Sequence, residues 1–271
     1  RPGVHIDRVE ADVWAKRTRE DHHRGKAIEW LQRAATEYEN PAAQYCLGIC
    51  FHDGLGVEKN ASEAVKWYML SAERGQARGQ GILGFCYGEG FGVEKDESKA
   101  IYWYRRAAEQ GEPVAIYNIG YCYEDGIGVE RDPGEAVKWY KKAADLGNAF
   151  AQNSLGYCFE DGIGVEKDTR AAVHWYTLSA EQGYPWAQCN LGYCYQNGIG
   201  VGKDESIGAQ WYYRAALQKH ARAQHNYGFC LQNGIGVPKN EAQAIEWYRK
   251  SADQKNAFAF HSLGYCYQNG I

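Results

Sequence analysis

The sequence predicts an all-α fold, a solenoid of antiparallel helix pairs. Three observations predict it. The phrase SLGYCFEDGIGVEKD at Ser154–Asp168 returns as NLGYCYQNGIGVGKD 36 residues later and as NIGYCYEDGIGVERD 36 residues earlier. Each 36-residue unit holds two stretches with apolar residues at helical spacing. One such unit cannot bury its own apolar face, whereas stacked units can.

At the front, KAIEWLQRAATEYENPAAQ echoes the second half of a unit, with one extra residue in its loop. Residues 1–24 are therefore read as a flanking segment and 25–271 as the array. The array holds six full repeats over about 41–256, with half-repeats at both ends. The first helix of a unit, helix A, is illustrated by Phe150–Gly162. There Ala151, Leu155, Cys158, Phe159 and Gly162 share one face, and Gly162 stops the helix as a left-handed C′ residue. GIGVEK is the turn, and its Ile and Val are expected to fold back on the core.

The second helix, helix B, opens on a cap. Asp132 before Pro133, with Glu135 three residues on, is a capping box with Pro at N1. Asn60…Glu63 and Asn240…Gln243 repeat the box, while Asp96, Asp168 and Asp204 keep only the cap. Ala136, Tyr140, Ala143 and Ala144 form the packed stripe, and DLGN or EQG closes the unit. Two further columns read as core. Trp-Tyr pairs recur from Trp67-Tyr68 to Trp247-Tyr248, and a glycine recurs in mid-helix A from Gly48 to Gly264. A helix-interior glycine costs about 1 kcal/mol against Ala. Its return is close approach of helix B, which a Cβ would hold off.

Composition excludes several functions. With 30 basic and 34 acidic residues in 271, the net charge of −4 does not suit a nucleic-acid backbone. No apolar run reaches the roughly 18–20 residues of a membrane span. The opening, RPGVHIDRVEADVWAKRTRED, is too polar for a signal peptide. The chain lacks a starting Met and stops inside the repeated phrase, which predicts a piece of a longer protein. Of nine cysteines, seven fall in register and only Cys46 and Cys189 do not. Most units carry one thiol and nothing to pair it with. Reduced thiols acting as small hydrophobes are expected, and with them a cytoplasmic setting.

Metal and catalytic readings fare poorly. Cys46 and Cys50, one helical turn apart near His52, lack zinc-site spacing. EDGIGVERD lacks the alternating acids of a calcium loop. The Gly-x-Gly loops follow helices, not strands, and no nucleophile or phosphate-loop motif appears. No enzyme, cofactor or metal is expected.

The pattern Ala-x-x-x-Leu-Gly-x-x-Tyr-x-x-Gly-x-Gly-Val-x-x-Asp, then Ala-x-x-Trp-Tyr and Ala-x-x-Gly, resembles the Sel-1-like repeat (SLR) family, relatives of tetratricopeptide repeats. The resemblance covers about residues 25–271. It implies an adaptor or scaffold, as in endoplasmic-reticulum-associated degradation, chitin-synthase regulation, bacterial signalling and host interaction, or attachment to a kinase. A secreted branch of the family carries a second cysteine per repeat, and this sequence lacks it. The array is expected to be a right-handed superhelical solenoid of about 14 helices.

The face of helix A opposite the core stripe lines the concave groove in tetratricopeptide-like solenoids. Read down the stack, one column runs Ile49, Phe85, Tyr121, Tyr157, Tyr193, Phe229 and Tyr265. Aromatics of this kind suit interface hot spots, but they can equally pack repeat on repeat. The column of Asn153 varies most and includes His225 and His261. Phe150 and Trp186 occupy a third column. Two more are acidic early (Glu124, Asp125, Glu160, Asp161) and amide late (Gln196, Asn197, Gln232, Asn233). Asn118, Asn190 and Asn226 either bind a peptide backbone or link repeats, the link being favoured.

The expected function is non-catalytic protein–protein interaction. Tyr121, Tyr157, Tyr193 and Phe229 are the expected anchors, Phe150 and Trp186 the apolar pockets, and Asn153 and His225 the polar contacts. Glu124, Asp125, Glu160 and Asp161 would select Lys or Arg on a protein or peptide partner. The alternative is a structural spacer that positions a flanking enzyme domain, such as a kinase. Leu263, Cys266 and Tyr267 are expected to lie exposed, so that the chain associates end to end or frays after about Ala257.

Overall fold

The computed structural model describes residues 21–270. The expected flanking segment, residues 1–24, lies outside them apart from the first turn of α1. Among the described residues there are fourteen α-helices and no strand, and the fold is the expected stack of helical hairpins. The chain divides into two compact units at Leu146–Gly147. The first holds α1 (Asp21–Thr36), α2 (Pro41–Asp53), α3 (Ala61–Glu73), α4 (Ala77–Glu89), α5 (Glu97–Glu109), α6 (Pro113–Asp125) and α7 (Pro133–Asp145). The second holds α8 (Ala149–Asp161), α9 (Thr169–Glu181), α10 (Pro185–Asn197), α11 (Glu205–Leu217), α12 (Ala221–Asn233), α13 (Glu241–Ala252) and α14 (Ala257–Gln268). Even-numbered helices are A helices in the first unit and in the second. Odd-numbered helices are B helices.

Six of the seven A helices end on the glycine that the sequence marks as their stop. Gly54, Gly90, Gly126, Gly162, Gly198 and Gly234 are left-handed caps whose N–H groups bond the carbonyl four residues back. The second glycine of the loop meets a different constraint. A Cβ on Gly92 would sit 2.3 Å from the Ala61 carbonyl oxygen, and one on Gly200 would sit 2.0 Å from that of Thr169. The loop thus lies against the first turn of the B helix one repeat earlier. Ile199, Val201, Ile235 and Val237 pack on the adjoining core, as their positions in the turn predict.

The B helices are capped at the predicted residues. Asn60, Asp132 and Asn240 each accept a backbone N–H three residues on, at 3.0–3.1 Å. The reciprocal half of the capping box is not formed, which corrects the sequence reading. The cap residue's own N–H is spent on the preceding A helix, where Phe51, Tyr123 and Leu231 supply the carbonyls. Glu63 and Glu135 are left to pair with Lys66 and Lys138.

The core is a column of tyrosines laid on glycines. Tyr68, Tyr104, Tyr140, Tyr176, Tyr212 and Tyr248 are all at most 1% exposed. A Cβ on Gly156 would lie 2.6 Å from the Tyr176 ring, and one on Gly84 would lie 2.7 Å from that of Tyr104. The glycine column therefore exists to let a ring lie flat on the A helix. Each tryptophan of the Trp-Tyr pair is only half-buried, since it lies at the edge of the stack. Lys142, Arg214 and Lys250 cover the Trp139, Trp211 and Trp247 rings at 5.1, 4.5 and 4.1 Å.

A glutamine column, unremarked in the sequence, ties helices together. Gln44, Gln80, Gln188 and Gln224 each donate to the last turn of the preceding B helix at 3.1–3.2 Å. Gln80, Gln152, Gln188 and Gln224 accept from the glutamine 30 residues on, at 2.7–2.9 Å. At the end of the second unit, Cys266 is buried against Leu231 and Tyr248, contrary to expectation, while Leu263 is half-buried and Tyr267 exposed. The B helix α13 suffices to cover Cys266. None of the nine cysteines is joined in a disulfide. No helix among the described residues is long and apolar enough to cross a membrane.

Candidate partner-binding face of the A helices

In the second unit, Ala151, Leu155 and Cys158 of α8 turn into the core. Tyr157 is then carried to the far side, where it is half-buried. The same register leaves Tyr193 39%, Phe229 44% and Tyr265 53% exposed. In the first unit, Phe85 and Tyr121 are half-buried, while Ile49 belongs to the core. Burial and a hydrogen bond to Asp125 push the Tyr121 phenol up to about 12, so this ring is a neutral donor at any physiological pH.

Phe150 and Trp186 each pack edge-on against the residue that begins the next A helix. Phe150 meets Tyr184 at 5.0 Å and Trp186 meets His220 at 4.6 Å. Both are half-buried and present their remaining ring surface outward.

The variable column forms links between repeats. Asn190 donates to the buried Asn153 at 3.1 Å. Asn226 reaches the Cys189 sulfur at 3.9 Å, and His225 Nε2 meets Ser262 Oγ at 3.1 Å. Burial lowers the pKa of His225. Asn190 and Asn226 thus serve the linking role that the sequence favoured.

The acid-to-amide switch separates into two chemistries. In one column, Glu124 and Glu160 accept from the Tyr140 and Tyr176 hydroxyls at 2.6 Å. Glu124 is only 8% exposed. Further on, Gln196 and Gln232 take over this duty for Tyr212 and Tyr248 at 3.0 and 2.7 Å. Their amide nitrogens contact the Cys230 and Cys266 sulfurs at 3.8 and 3.6 Å. A carboxylate expected to select cations is thereby committed inside its own repeat. The second column is the more exposed of the two. There Glu89, Asp125 and Asp161 are exposed, followed by Asn197 and Asn233, which cap carbonyls of their own helices at 2.8 and 2.9 Å. The signal for the inner column was present in the sequence, as a polar residue 16 positions before every core tyrosine except Tyr104, where residue 88 is glycine.

This face carries half-exposed rings, exposed acids in the first unit and at Asp161, and amides beyond.

Known proteins place the chain. The family model for the Sel1 repeat matches residues 19–37, 41–76, 77–112, 113–148, 149–184, 187–220, 221–256 and 259–271. The solved Sel1 repeat protein of Oxalobacter formigenes is 33% identical with a TM-score of 0.76, over 88% of this chain and 95% of that one. The c5321 protective antigen of uropathogenic Escherichia coli, described as displaying an SLR fold, is 38% identical with a TM-score of 0.75. That match covers 90% of this chain and 52% of the antigen, so this chain spans about half its length. A segment of 64 residues is 39% identical to rat (Rattus norvegicus) DAP3-binding cell death enhancer 1, covering 23% of this chain and 12% of that protein. Proteins built from these repeats are generally interaction scaffolds rather than catalysts. The chain belongs to the Sel1 repeat family.

Proposed function

We propose that this chain is a non-catalytic scaffold that holds a peptide or a partner's surface on the exposed face of its A helices. The observation that carries this reading is the aromatic column of the second unit. Tyr193 and Phe229 keep 39% and 44% of their surface in water although the fold could bury apolar residues there. Rigid rings held in register lose little entropy on binding and contribute strongly when covered. Tyr121, Tyr157, Tyr193 and Phe229 act as anchors, with Phe150 and Trp186 beside them. Asp125 and Asp161 favour Lys or Arg on the partner. The rat relative named for binding DAP3 supports an interaction role for such repeats.

The second reading, a spacer that positions a neighbouring domain, is favoured by one set of observations. Asn153, His225, Glu124 and Glu160 all spend polar atoms within the array. An affinity capture from native lysate separates the two. The parent chain is compared with a Tyr157→Ala/Tyr193→Ala variant whose helical circular dichroism is unchanged. A partner lost only in the variant supports the scaffold. Identical capture lists, or none, support the spacer.

A further inference from the structure

The cations on the B helices of the first unit, and on the loops before them, fall into two groups. Lys66, Lys95, Lys99 and Lys138 each reach a carboxylate, on Glu63, Glu97, Asp96 and Glu135. Arg105, Arg106 and Lys142 have aromatic partners instead. Arg105 donates to the Tyr123 hydroxyl of α6 at 3.2 Å. Arg106 lies over the Tyr102 ring at 5.9 Å and donates to its hydroxyl at 3.0 Å. Lys142 lies over the Trp139 ring at 5.1 Å. A carboxylate neutralises a cation, whereas a ring or a phenol fixes it in place and leaves its charge whole. Arg105 and Arg106 of α5 stand at the same two positions as Lys141 and Lys142 of α7, one repeat apart, and all four are exposed. Two exposed acids follow them, Glu109 on α5 and Asp145 on α7, the latter meeting Lys141 at 3.4 Å.

We infer that this exposed face of α5 and α7 docks an acidic segment of a partner protein, an extended stretch rich in Asp and Glu. Charge complementarity selects the occupant. Arg105, Arg106, Lys141 and Lys142 outnumber Glu109 and Asp145, so the face is locally positive on a chain whose net charge is −4. Carboxylates reach these groups from the solvent side, with no buried position to enter. Arg106 and Lys142 are already held by their rings, so binding costs less side-chain entropy than it would with unanchored cations. A nucleic acid fits this face less well. The Tyr102 and Trp139 rings carry cations rather than standing open for bases, and the two acids oppose a continuous phosphate backbone. The inference goes beyond the scaffold reading by adding a second docking surface. It lies on B helices and is opposite in charge to Glu89 and Asp125 on the A helices of the same unit.

The test uses the full chain and a fluorescein-labelled peptide, Gly-Asp-Glu-Gly-Ser-Gly-Asp-Glu-Gly, read by anisotropy at about 0.1 M salt. Saturable binding with a Kd below about 1 mM is expected. Arg106→Glu/Lys142→Glu is expected to weaken it by about tenfold or more. Lys66→Glu/Lys95→Glu makes the same change in net charge at cations already paired with carboxylates, and is expected to keep binding within about twofold of the parent. Helical circular dichroism checks that both variants fold, and Arg106→Gln/Lys142→Gln replaces the reversal if that one does not. No saturable binding by the parent, equal weakening by the two double variants, or tighter binding of a labelled oligothymidylate of similar length would each overturn the inference. The Tyr157→Ala/Tyr193→Ala capture concerns A helices of the other unit, so the scaffold reading stands or falls separately.

Discussion

At the scale of the residue, the glycine under each core tyrosine is the position where chemistry is least negotiable. Gly156→Ala would drive a methyl to 2.6 Å from the Tyr176 ring, and the ring cannot retreat because it is fully buried. Loss of about 1–3 kcal/mol is expected in urea unfolding. Gly264 is in the same column but nothing lies within 4 Å of its would-be Cβ. Gly264→Ala is therefore expected to be neutral or to stabilise by up to about 1 kcal/mol, through helix propensity alone. Equal losses at both sites would show that the ring contact is not the cause. The thiols give a second test. Burial pushes Cys50, Cys86, Cys122, Cys189, Cys194 and Cys230 up to about 12, so almost none of each is thiolate at neutral pH. Cys46 alone of the nine is not fully buried. A disulfide-exchange reagent is expected to label Cys46 quickly and the others only on unfolding. Fast labelling of several thiols would mean that the repeats open readily.

At the scale of the element, helix identity and packing face were legible because both follow from spacing. Ala151, Leu155 and Cys158 are one face whatever surrounds them, and the αL glycine at Gly162 has one structural meaning. Polar commitments were less legible. Glu124 reads as a solvated helix-end acid until Tyr140, 16 residues away, is known to lie beneath it. The A-helix caps were missed for a related reason. Gln76, Glu112 and His220 hold the position that Asn40 and Asn148 hold elsewhere, and long or aromatic side chains carry little capping signal in a sequence. His220 shows what such a cap entails. Its Nδ1 accepts the Ala223 N–H at 3.2 Å, which requires the neutral ring, and burial lowers its pKa from 6.5 to about 4. Between those values the unfolded chain binds a proton that the folded chain refuses. Stability from this group is complete above pH 6.5, falls as the pH drops toward 4, and is level below. The fall is on the order of 3 kcal/mol. His220→Asn keeps an acceptor without the titration. It is expected to match the parent at pH 8 and to exceed it increasingly below pH 6. Parallel pH profiles for the two proteins would refute the assignment.

At the scale of the whole molecule, a repeat array is held by contacts between neighbouring helices, so an apolar stripe left in water is the place to look for association. α14 shows four aromatics to water: Phe258, Phe260, Tyr265 and Tyr267 are 71%, 57%, 53% and 61% exposed. Phe260, half-buried Leu263 and Tyr267 recur at i, i+3 and i+7, a stripe of the kind that elsewhere in this chain meets another helix. Phe260 also stands where five other A helices carry the buried glutamine of the inter-helix ladder, Gln44, Gln80, Gln152, Gln188 and Gln224. Single exposed hydrophobes are ordinary on protein surfaces, but a contiguous stripe of large rings drives contact. This chain is therefore expected to self-associate through α14, with a weight-average mass in sedimentation velocity that climbs above 30.5 kDa as concentration rises. Phe260→Gln with Tyr267→Gln restores polarity to the stripe while leaving Cys266, the one fully buried contact of that turn, in place. The double variant is expected to hold the monomer mass at every concentration. If the parent already does so, the stripe drives no contact between copies, and the exposed rings of α14 belong instead with Tyr193 and Phe229 on the face proposed to meet a partner.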